Sequence, residues 1–193
     1  MKHRITEELH FVIVFIGLVW SVFLVDLVLP TELSNFGLTP RRMTGLPGIV
    51  TMPFLHNGWD HILGNTVPLT VLLCLMAGSR ANTYVAVPVI VIIGGILLWL
   101  CGRFATHVGA SGLVYGLIVF LIVAGIREAR LRAILIAVVV GLLYGTTLLT
   151  GVLPMSVEEG VSWDGHLFGG IGGGITAILL TGRNRTTAED TAT

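Results

Sequence analysis

Four polar side chains in an otherwise apolar sequence have the types and spacing that nucleophilic catalysis needs. Ser111 lies between glycines in Gly109-Ala110-Ser111-Gly112 and is a possible nucleophile. His166, at the start of another apolar run, is a possible general base. His61 and Asn65 are four residues apart, so on a helix they share one face, where two donors can stabilise a developing negative charge.

Each of these signals has a structural alternative when it is taken alone. His61 and Asn65 could make a hydrogen bond that joins two helices, and the Gly-x-Ser-Gly motif could be a packing face of small residues. The glycine-rich run 169–174 superficially resembles a nucleotide-binding loop. No strand precedes that run and it lies in an apolar segment, so helix packing is the better interpretation.

The composition of the chain places these residues in a membrane. Of the 193 residues, 54% are hydrophobic and only 11% are charged, and the mean hydropathy is +0.91. Soluble domains are about a quarter charged, so the composition excludes a soluble enzyme, a disordered linker protein and a nucleic-acid binder. Eleven basic residues balance eleven acidic ones, which gives no indication of a polyanionic partner.

Six stretches are long and apolar enough to cross a bilayer, for which a helix needs about 20 apolar residues. Five of them contain no charged residue, and they span 62–79, 81–102, 104–126, 133–157 and 165–182. The sixth, 9–29, is interrupted only by Asp26 and is not followed by a cleavage signature, so we interpret it as an anchor. The sequence therefore predicts an all-α membrane protein with six transmembrane helices.

The basic residues predict the orientation of this bundle. With six crossings, eight of the eleven Lys and Arg residues lie on one side, and only Arg41, Arg42 and Arg103 lie on the other. Basic segments favour the cytoplasmic side, so both termini are predicted to be cytoplasmic. The predicted organisation is a cytoplasmic N-terminus at 1–8, one six-helix domain at 9–182, and a polar cytoplasmic tail at 183–193.

The same topology brings the four polar side chains to one depth. Alternating helix direction places Ser111, His166, His61 and Asn65 in the outer third of the membrane. From Ser111 to Ile126 the helix is about 24 Å long, shorter than about 30 Å of hydrocarbon. Ser111 is therefore expected below the outer surface. If glycines let its helix touch the last helix, Ser111 and His166 come within hydrogen-bond reach.

Residues outside this group are expected to have structural roles. The first interhelical loop, about 30–59, mixes prolines with large apolar side chains, which predicts an interfacial segment with Trp59 at headgroup depth. His107 stands alone in a short loop and is expected to be solvated. Cys74 and Cys101 are expected to act as small apolar side chains rather than as a disulfide or zinc ligands.

Together these motifs resemble those of the rhomboid family of intramembrane serine proteases. The matching residues are Gly109-x-Ser111-Gly112 with Tyr115, His56 with His61-x-x-x-Asn65, and His166-x-x-Gly169-x-x-x-Gly173. Order, spacing and host helix agree, and the resemblance covers the six-helix core, nearly the whole chain. It implies a six-transmembrane-helix rhomboid-like bundle and a serine-type endopeptidase, a hydrolase that acts within the membrane.

The resemblance also implies roles for single residues. Ser111 is the nucleophile and His166 the general base, in a dyad without a carboxylate. The oxyanion hole consists of the Ser111 backbone N–H and the side chains of His61 and Asn65. The supporting positions are a tyrosine stacked on the base, close-packing glycines, and a histidine in a hydrogen-bond network below the outer loop. In this sequence they are Tyr115, Gly109, Gly112, Gly169, Gly173 and His56.

The implied activity is cleavage of transmembrane segments of membrane proteins near their outer end, where a substrate helix can unwind. Water must reach Ser111, so a polar cavity open to the outside is expected. The expected partners are transmembrane substrates and the lipid bilayer of a bacterial plasma membrane, and no cofactor, metal or nucleic acid is implied. The alternative is a non-catalytic rhomboid-like factor that binds or escorts membrane proteins. A metal transporter or metalloprotease is disfavoured because no His-Glu-x-x-His motif occurs.

The sequence departs from the family in its first loop. The family commonly carries a Trp-Arg pair a few residues before the position of His56. Here the nearest arginines, Arg41 and Arg42, lie further upstream, so the sequence does not define how the loop is held. Asp60 and Asp164 lie close to the two helix-start histidines, and we interpret both as surface acids rather than as a third member of a triad.

Overall fold

The computed structural model describes residues 5–76, 81–156 and 160–182, which form helices joined by loops. The seven α-helices in these residues are α1 (Ile5–Asp26), α2 (Gly48–Thr51), α3 (Trp59–Met76), α4 (Thr83–Cys101), α5 (Ser111–Glu128), α6 (Leu131–Gly151) and α7 (Trp163–Leu180). Short 3₁₀ turns at Leu33–Phe36, Met43–Gly45 and Met52–Phe54 shape the loop between α1 and α3. Outside the helices, one isolated antiparallel bridge joins Leu38 and His107.

Six of these helices are long, and five of them, α1 and α3 to α6, are also apolar enough to cross a membrane. The sixth, α7, has 18 residues but carries Asp164, His166 and a run of glycines. Several apolar helices of spanning length define a multi-pass membrane protein. The first predicted crossing begins earlier than expected, at Ile5. Residues 1–4 and 183–193 of the predicted termini lie outside the described residues.

The helix α5 occupies the centre of the bundle. It packs against α7, α6, α4 and α3, and most of its side chains are buried, Phe120 and Leu121 among them. The helix α1 packs on α3 and α4, and α7 packs on both α4 and α5. The helix α6 packs on α5 and turns apolar side chains such as Leu142 and Leu143 outward. That outward apolar surface suits the hydrocarbon of a bilayer, where helices satisfy their own backbone groups.

Glycines let α5, α7 and α4 approach to backbone contact. A Cβ at Gly169 would overlap the carbonyl group of Gly112, and a Cβ at Gly173 would overlap that of Gly116. On α4, a Cβ at Gly94 would lie 3.2 Å from the Cα of Gly169. This glycine seam sets the depth and rotation of α7 against α5, and so fixes where the two helices present their first residues.

Two arginines hold the first loop against the end of α4. The guanidinium of Arg41 donates to the carbonyl oxygens of Gly102 at 2.8 Å and Leu100 at 3.3 Å, which lie at a helix end without intrahelical donors. The Trp99 indole donates to the Arg42 carbonyl at 3.0 Å, and the Arg41 N–H donates to the Trp99 carbonyl at 3.0 Å. The loop that the sequence left undefined is thus anchored by a tryptophan and arginines from separate segments.

Candidate active site

Ser111 is the first residue of α5, and a glycine in the left-handed region leads into it. Gly109 has φ +107°, a conformation that favours glycine, and its N–H donates to the Met52 carbonyl at 3.0 Å. Ala110 is the N-cap, and its carbonyl accepts from the Val114 N–H at 3.0 Å. The N–H groups of the first turn, including that of Ser111, have no intrahelical acceptor and can bind an anion.

His166 lies in the first turn of α7, and its ring is held on two sides. Its Nδ1 is 2.8 Å from the carbonyl oxygen of Gly151. Because a carbonyl only accepts, Nδ1 carries the proton, and Nε2 of the neutral ring is left as a free base. The Tyr115 ring stacks on the imidazole, with the centroids 4.1 Å apart and the planes within 2°. The imidazole is therefore fixed in tautomer and orientation without a carboxylate.

Gly151, the last residue of α6, was not identified from the sequence. Besides accepting from His166, it leaves room for Tyr115, because a Cβ at position 151 would overlap the tyrosine hydroxyl. That hydroxyl donates to the Thr147 carbonyl at 2.9 Å, one turn earlier in α6. A single glycine near the end of an apolar run gives no signal of its own. Only the approach of α6 to the rings of Tyr115 and His166 shows its importance.

His61 and Asn65 both have a hydrogen-bond donor to spare. The Asn57 N–H donates to His61 Nδ1 at 3.4 Å, so the neutral ring carries its own proton on Nε2. That nitrogen lies against Gly109, where a Cβ would overlap the ring. The Asn65 amide donates one N–H to the His61 carbonyl at 2.9 Å, which leaves its second N–H for a ligand.

One polar cavity of about 530 Å³ joins these groups. It is lined by Ser111 and His166 together with His61 and Asn65. Among the described residues no hydrogen bond links the Ser111 hydroxyl to His166, so the two share the cavity without being bonded. Catalytic hydrogen bonds are often long until a substrate is bound. The cavity has room for water beside the serine.

The hydrogen-bond network expected around His56 has no side-chain partner among the described residues. It is 2% exposed, and neither ring nitrogen has a hydrogen-bond partner in the part of the chain that the structure describes. Its ring meets that of His61 edge to face, with the centroids 5.0 Å apart. Burial, reinforced by the neighbouring His61, lowers the pKa of His56 from 6.5 to about 4. His56 is therefore a neutral ring that supports His61 by packing.

His107 is buried, so the prediction that it is solvated is wrong. The residue is 3% exposed. Its backbone carbonyl accepts from the Leu38 N–H at 2.9 Å, and its N–H donates to the Leu38 carbonyl at 2.8 Å. Its Nδ1 lies 2.7 Å from the hydroxyl oxygen of Ser162. Burial lowers the pKa of His107, while the Asp164 carboxylate acts in the opposite direction. The sequence missed this because the partners lie in loops far apart in the chain.

Asp164 is also buried, at 1% exposure, so the prediction of a surface acid is wrong at this position. Its carboxylate accepts from the Arg103 N–H at 2.8 Å and from the Arg103 guanidinium at 3.1 Å. These donors lower the cost of burying the charge. His166 Nδ1 is already bonded to Gly151, so Asp164 is not the third member of a triad. Asp60, by contrast, is exposed as predicted.

Fold and cavity together define a multi-pass membrane protein in which one polar cavity brings together Ser111, His166, His61 and Asn65. The family model for the rhomboid domain matches residues 44–183, a range that includes every residue lining this cavity. The chain belongs to the rhomboid family.

Similar proteins occur in mycobacteria. An uncharacterized protein of Mycobacterium tuberculosis (strain H37Rv) is 36% identical over 181 residues, which cover 90% of this chain and 75% of that protein. An uncharacterized protein of Mycobacterium leprae is 37% identical over 184 residues, which cover 91% of this chain and 72% of that protein. No solved structure matches the chain. These relatives indicate a bacterial membrane as the location.

Proposed function

We propose that this chain is an intramembrane serine endopeptidase that cleaves transmembrane segments of membrane proteins. The observation that carries the proposal is the hydrogen bond from His166 Nδ1 to the Gly151 carbonyl, because it leaves Nε2 as a free base in a ring that lines the same cavity as Ser111. Membership of a family of intramembrane serine proteases supports the same reaction.

In the proposed reaction the Ser111 hydroxyl gives its proton to Nε2 of His166 while Oγ attacks a substrate carbonyl. The Gly151 carbonyl holds the Nδ1–H throughout and stabilises the imidazolium that forms, a task that a carboxylate performs in a triad. His166 then protonates the leaving amine. Water from the cavity, activated by the same base, hydrolyses the acyl-enzyme.

The proposed oxyanion hole has three donors. They are the Ser111 N–H at the start of α5, the Nε2–H of His61, and the second amide N–H of Asn65, which has no acceptor among the described residues. The N-terminal end of a helix adds a favourable partial positive charge. Donors fixed before the reaction stabilise the tetrahedral intermediate without reorganising, which is usually a large part of the catalytic effect.

The position of the cavity supports a transmembrane substrate. It lies at the end of the bundle formed by the first residues of α3, α5 and α7, which the basic residues predict to be the outer end of six crossings, with α7 as the sixth. A peptide bond inside an intact helix is shielded by its own side chains. We therefore propose cleavage near the outer face of a bacterial plasma membrane, where a substrate helix can unwind into the cavity.

Labelling with a fluorophosphonate probe tests the proposal. Purified wild type is expected to form an adduct on Ser111, mapped by mass spectrometry, whereas Ser111→Ala and His166→Ala are expected to form none. The matched control is Ser162→Ala, because Ser162 also lines the cavity and lies 2.7 Å from a histidine. This control is expected to keep its adduct on Ser111, and it tests where the probe reacts rather than how fast.

Three results would contradict the proposal. Equal labelling of wild type and Ser111→Ala would place the reactive serine elsewhere, and an adduct on Ser162 would assign it to the second serine–histidine pair. An unlabelled but folded wild type that still binds transmembrane segments would favour the alternative, a non-catalytic escort factor. The presence of both Ser111 and His166 in one cavity makes that alternative the less favoured one.

A further inference from the structure

Four polar side chains form a second cluster at the rim of the candidate site. Arg103 and His107 come from the loop between α4 and α5, and Ser162 and Asp164 come from the start of α7. The Asp164 carboxylate accepts from the Arg103 N–H at 2.8 Å and from its guanidinium at 3.1 Å. The Ser162 hydroxyl oxygen lies 2.7 Å from His107 Nδ1 and 3.3 Å from Asp164 Oδ1. We name these four residues the rim cluster.

The rim cluster is a built feature rather than a chance surface contact. Asp164 and His107 are each at least 97% buried, and an unpaired carboxylate in such a place is strongly unfavourable. Here both carboxylate oxygens have donors, and the Ser162 hydroxyl also accepts from the Gly165 N–H at 3.1 Å, which caps α7. The acid therefore joins two segments that the chain separates by some 60 residues.

These two segments are the ones that deliver the proposed nucleophile and base. His107 precedes Ser111 by four residues, and Asp164 precedes His166 by two. The glycine seam fixes α5 and α7 along their length, but the loop that leads to Ser111 lies beyond it. Arg103 adds further links to the other segment, a 3.4 Å bond to the Val161 carbonyl and a cation–π contact with the ring of Trp163.

We infer that Asp164 is a positioning residue that, through Arg103 and Ser162, sets the distance between the nucleophile and the base. The inference rests on the proposed function, since it assigns a role within the same reaction. Asp164 does not bond to the base, because His166 Nδ1 is occupied by Gly151. It acts through the backbone on either side, and a displacement of about 1 Å between reacting groups can cost about a hundredfold in rate.

The test measures how fast a fluorophosphonate labels Ser111, separately from how much protein becomes labelled. Asp164→Asn keeps the size of the side chain but turns one acceptor into a donor, which then faces either the Arg103 N–H or its guanidinium. We expect its maximal labelling rate to fall about ten- to a hundredfold, with the probe concentration for half-maximal rate little changed. A protein that is merely unstable would instead show a smaller labelled fraction at the wild-type rate.

A second variant covers the case in which Asp164→Asn does not fold. Arg103→Gln removes the guanidinium and its contacts with Asp164, Val161 and Trp163, and it leaves the backbone N–H on Asp164. We expect a slower rate again, and a combined loss with Asp164→Asn that is smaller than the product of the two single losses, because both changes break the linkage between Asp164 and Arg103. Glu32→Gln, an exposed acid that does not line the catalytic cavity, is the matched control and should label at the wild-type rate.

Three outcomes overturn the inference, and they are distinguishable. If wild type labels on Ser111 and both rim variants label at its rate, Asp164 has no positioning role although the proposed function stands. If wild type and Ser111→Ala label alike, the proposed function fails and the positioning role falls with it. A reduced labelled fraction at an unchanged rate in both variants assigns the rim cluster to stability alone.

Discussion

The carbonyl oxygen of Gly151 lies 2.8 Å from Nδ1 of His166, so the last residue of α6 holds the proposed base on α7. The same glycine accommodates the hydroxyl of Tyr115, whose ring stacks on His166 from α5. Three helices therefore converge on one imidazole. The helix α6 otherwise presents mostly apolar surface outward. Because its last residue bonds to His166, a shift of α6 in the bilayer would move the proposed base.

Replacing Gly151 by alanine is expected to lower the Ser111 labelling rate about a hundredfold, because a misplaced reacting group has an effect of that size. The new Cβ would overlap the Tyr115 hydroxyl and displace the ring from His166. Gly145→Ala, in the same helix with nothing within 4 Å of the new Cβ, is the control and should label as wild type. Equal rates for the two variants would contradict the role assigned to Gly151.

Replacing Asn65 by alanine is expected to lower the maximal labelling rate about a hundredfold, as the loss of one oxyanion donor does elsewhere. The probe's phosphoryl oxygen should need the same donor as a tetrahedral intermediate. Asn35→Ala, at an exposed position in the first loop, is the matched control. A rate for Asn65→Ala equal to that of Asn35→Ala would remove Asn65 from the oxyanion hole.

The glycine seam is expected to be sensitive to a single methyl group. Gly173→Ala would drive a Cβ into the carbonyl of Gly116, and overpacking of this kind costs about 1–3 kcal/mol or more of unfolding free energy. Gly141→Ala adds the same methyl to open space on α6, and it should be neutral or stabilise by up to about 1 kcal/mol. Thermal unfolding in detergent compares them, and similar midpoints would argue against close packing of α5 and α7.

His56 is expected to make stability depend on pH. Its pKa is lowered from 6.5 to about 4 in the folded protein, so the unfolded chain binds the proton first as the pH falls. The unfolding free energy should therefore decrease from about pH 6.5 down to about pH 4, by at most about 3 kcal/mol, and level off below that. Above pH 6.5 the ring is neutral in both the folded and the unfolded protein, so its titration does not change the unfolding free energy.

The comparison with His56→Gln isolates this contribution from those of other groups. The variant cannot take up a proton, so its unfolding free energy should change less between pH 7 and pH 4 than that of wild type. Unfolding in mixed micelles at a series of pH values provides the measurement. Parallel curves for the two proteins would mean that His56 is hydrated, and so protonates normally, in the folded state.

Much of the architecture could be predicted because a bilayer leaves few choices. Charge-free runs of about 20 residues must be helices there, and α3, α4, α5 and α6 each overlap most of one predicted run. The start of α5 at Ser111 followed from its flanking glycines. The anchoring of the first loop did not follow, because Arg41 and Trp99 are 58 residues apart and neither belongs to a local motif.

The sequence by itself determined which side chains are candidates for the site: a serine as the proposed nucleophile, a histidine as the proposed base, and a histidine and an asparagine as the proposed oxyanion donors. Those assignments depend on residue type and on spacing within single helices, which is local information. Only the tertiary structure decided how His166 is held. Its partner is the backbone carbonyl of Gly151, and since every residue has such a carbonyl, the sequence does not indicate which one is used. It likewise decided that Asp164 and His107 are buried, because burial of a polar side chain depends on partners from other segments, and no local pattern records them.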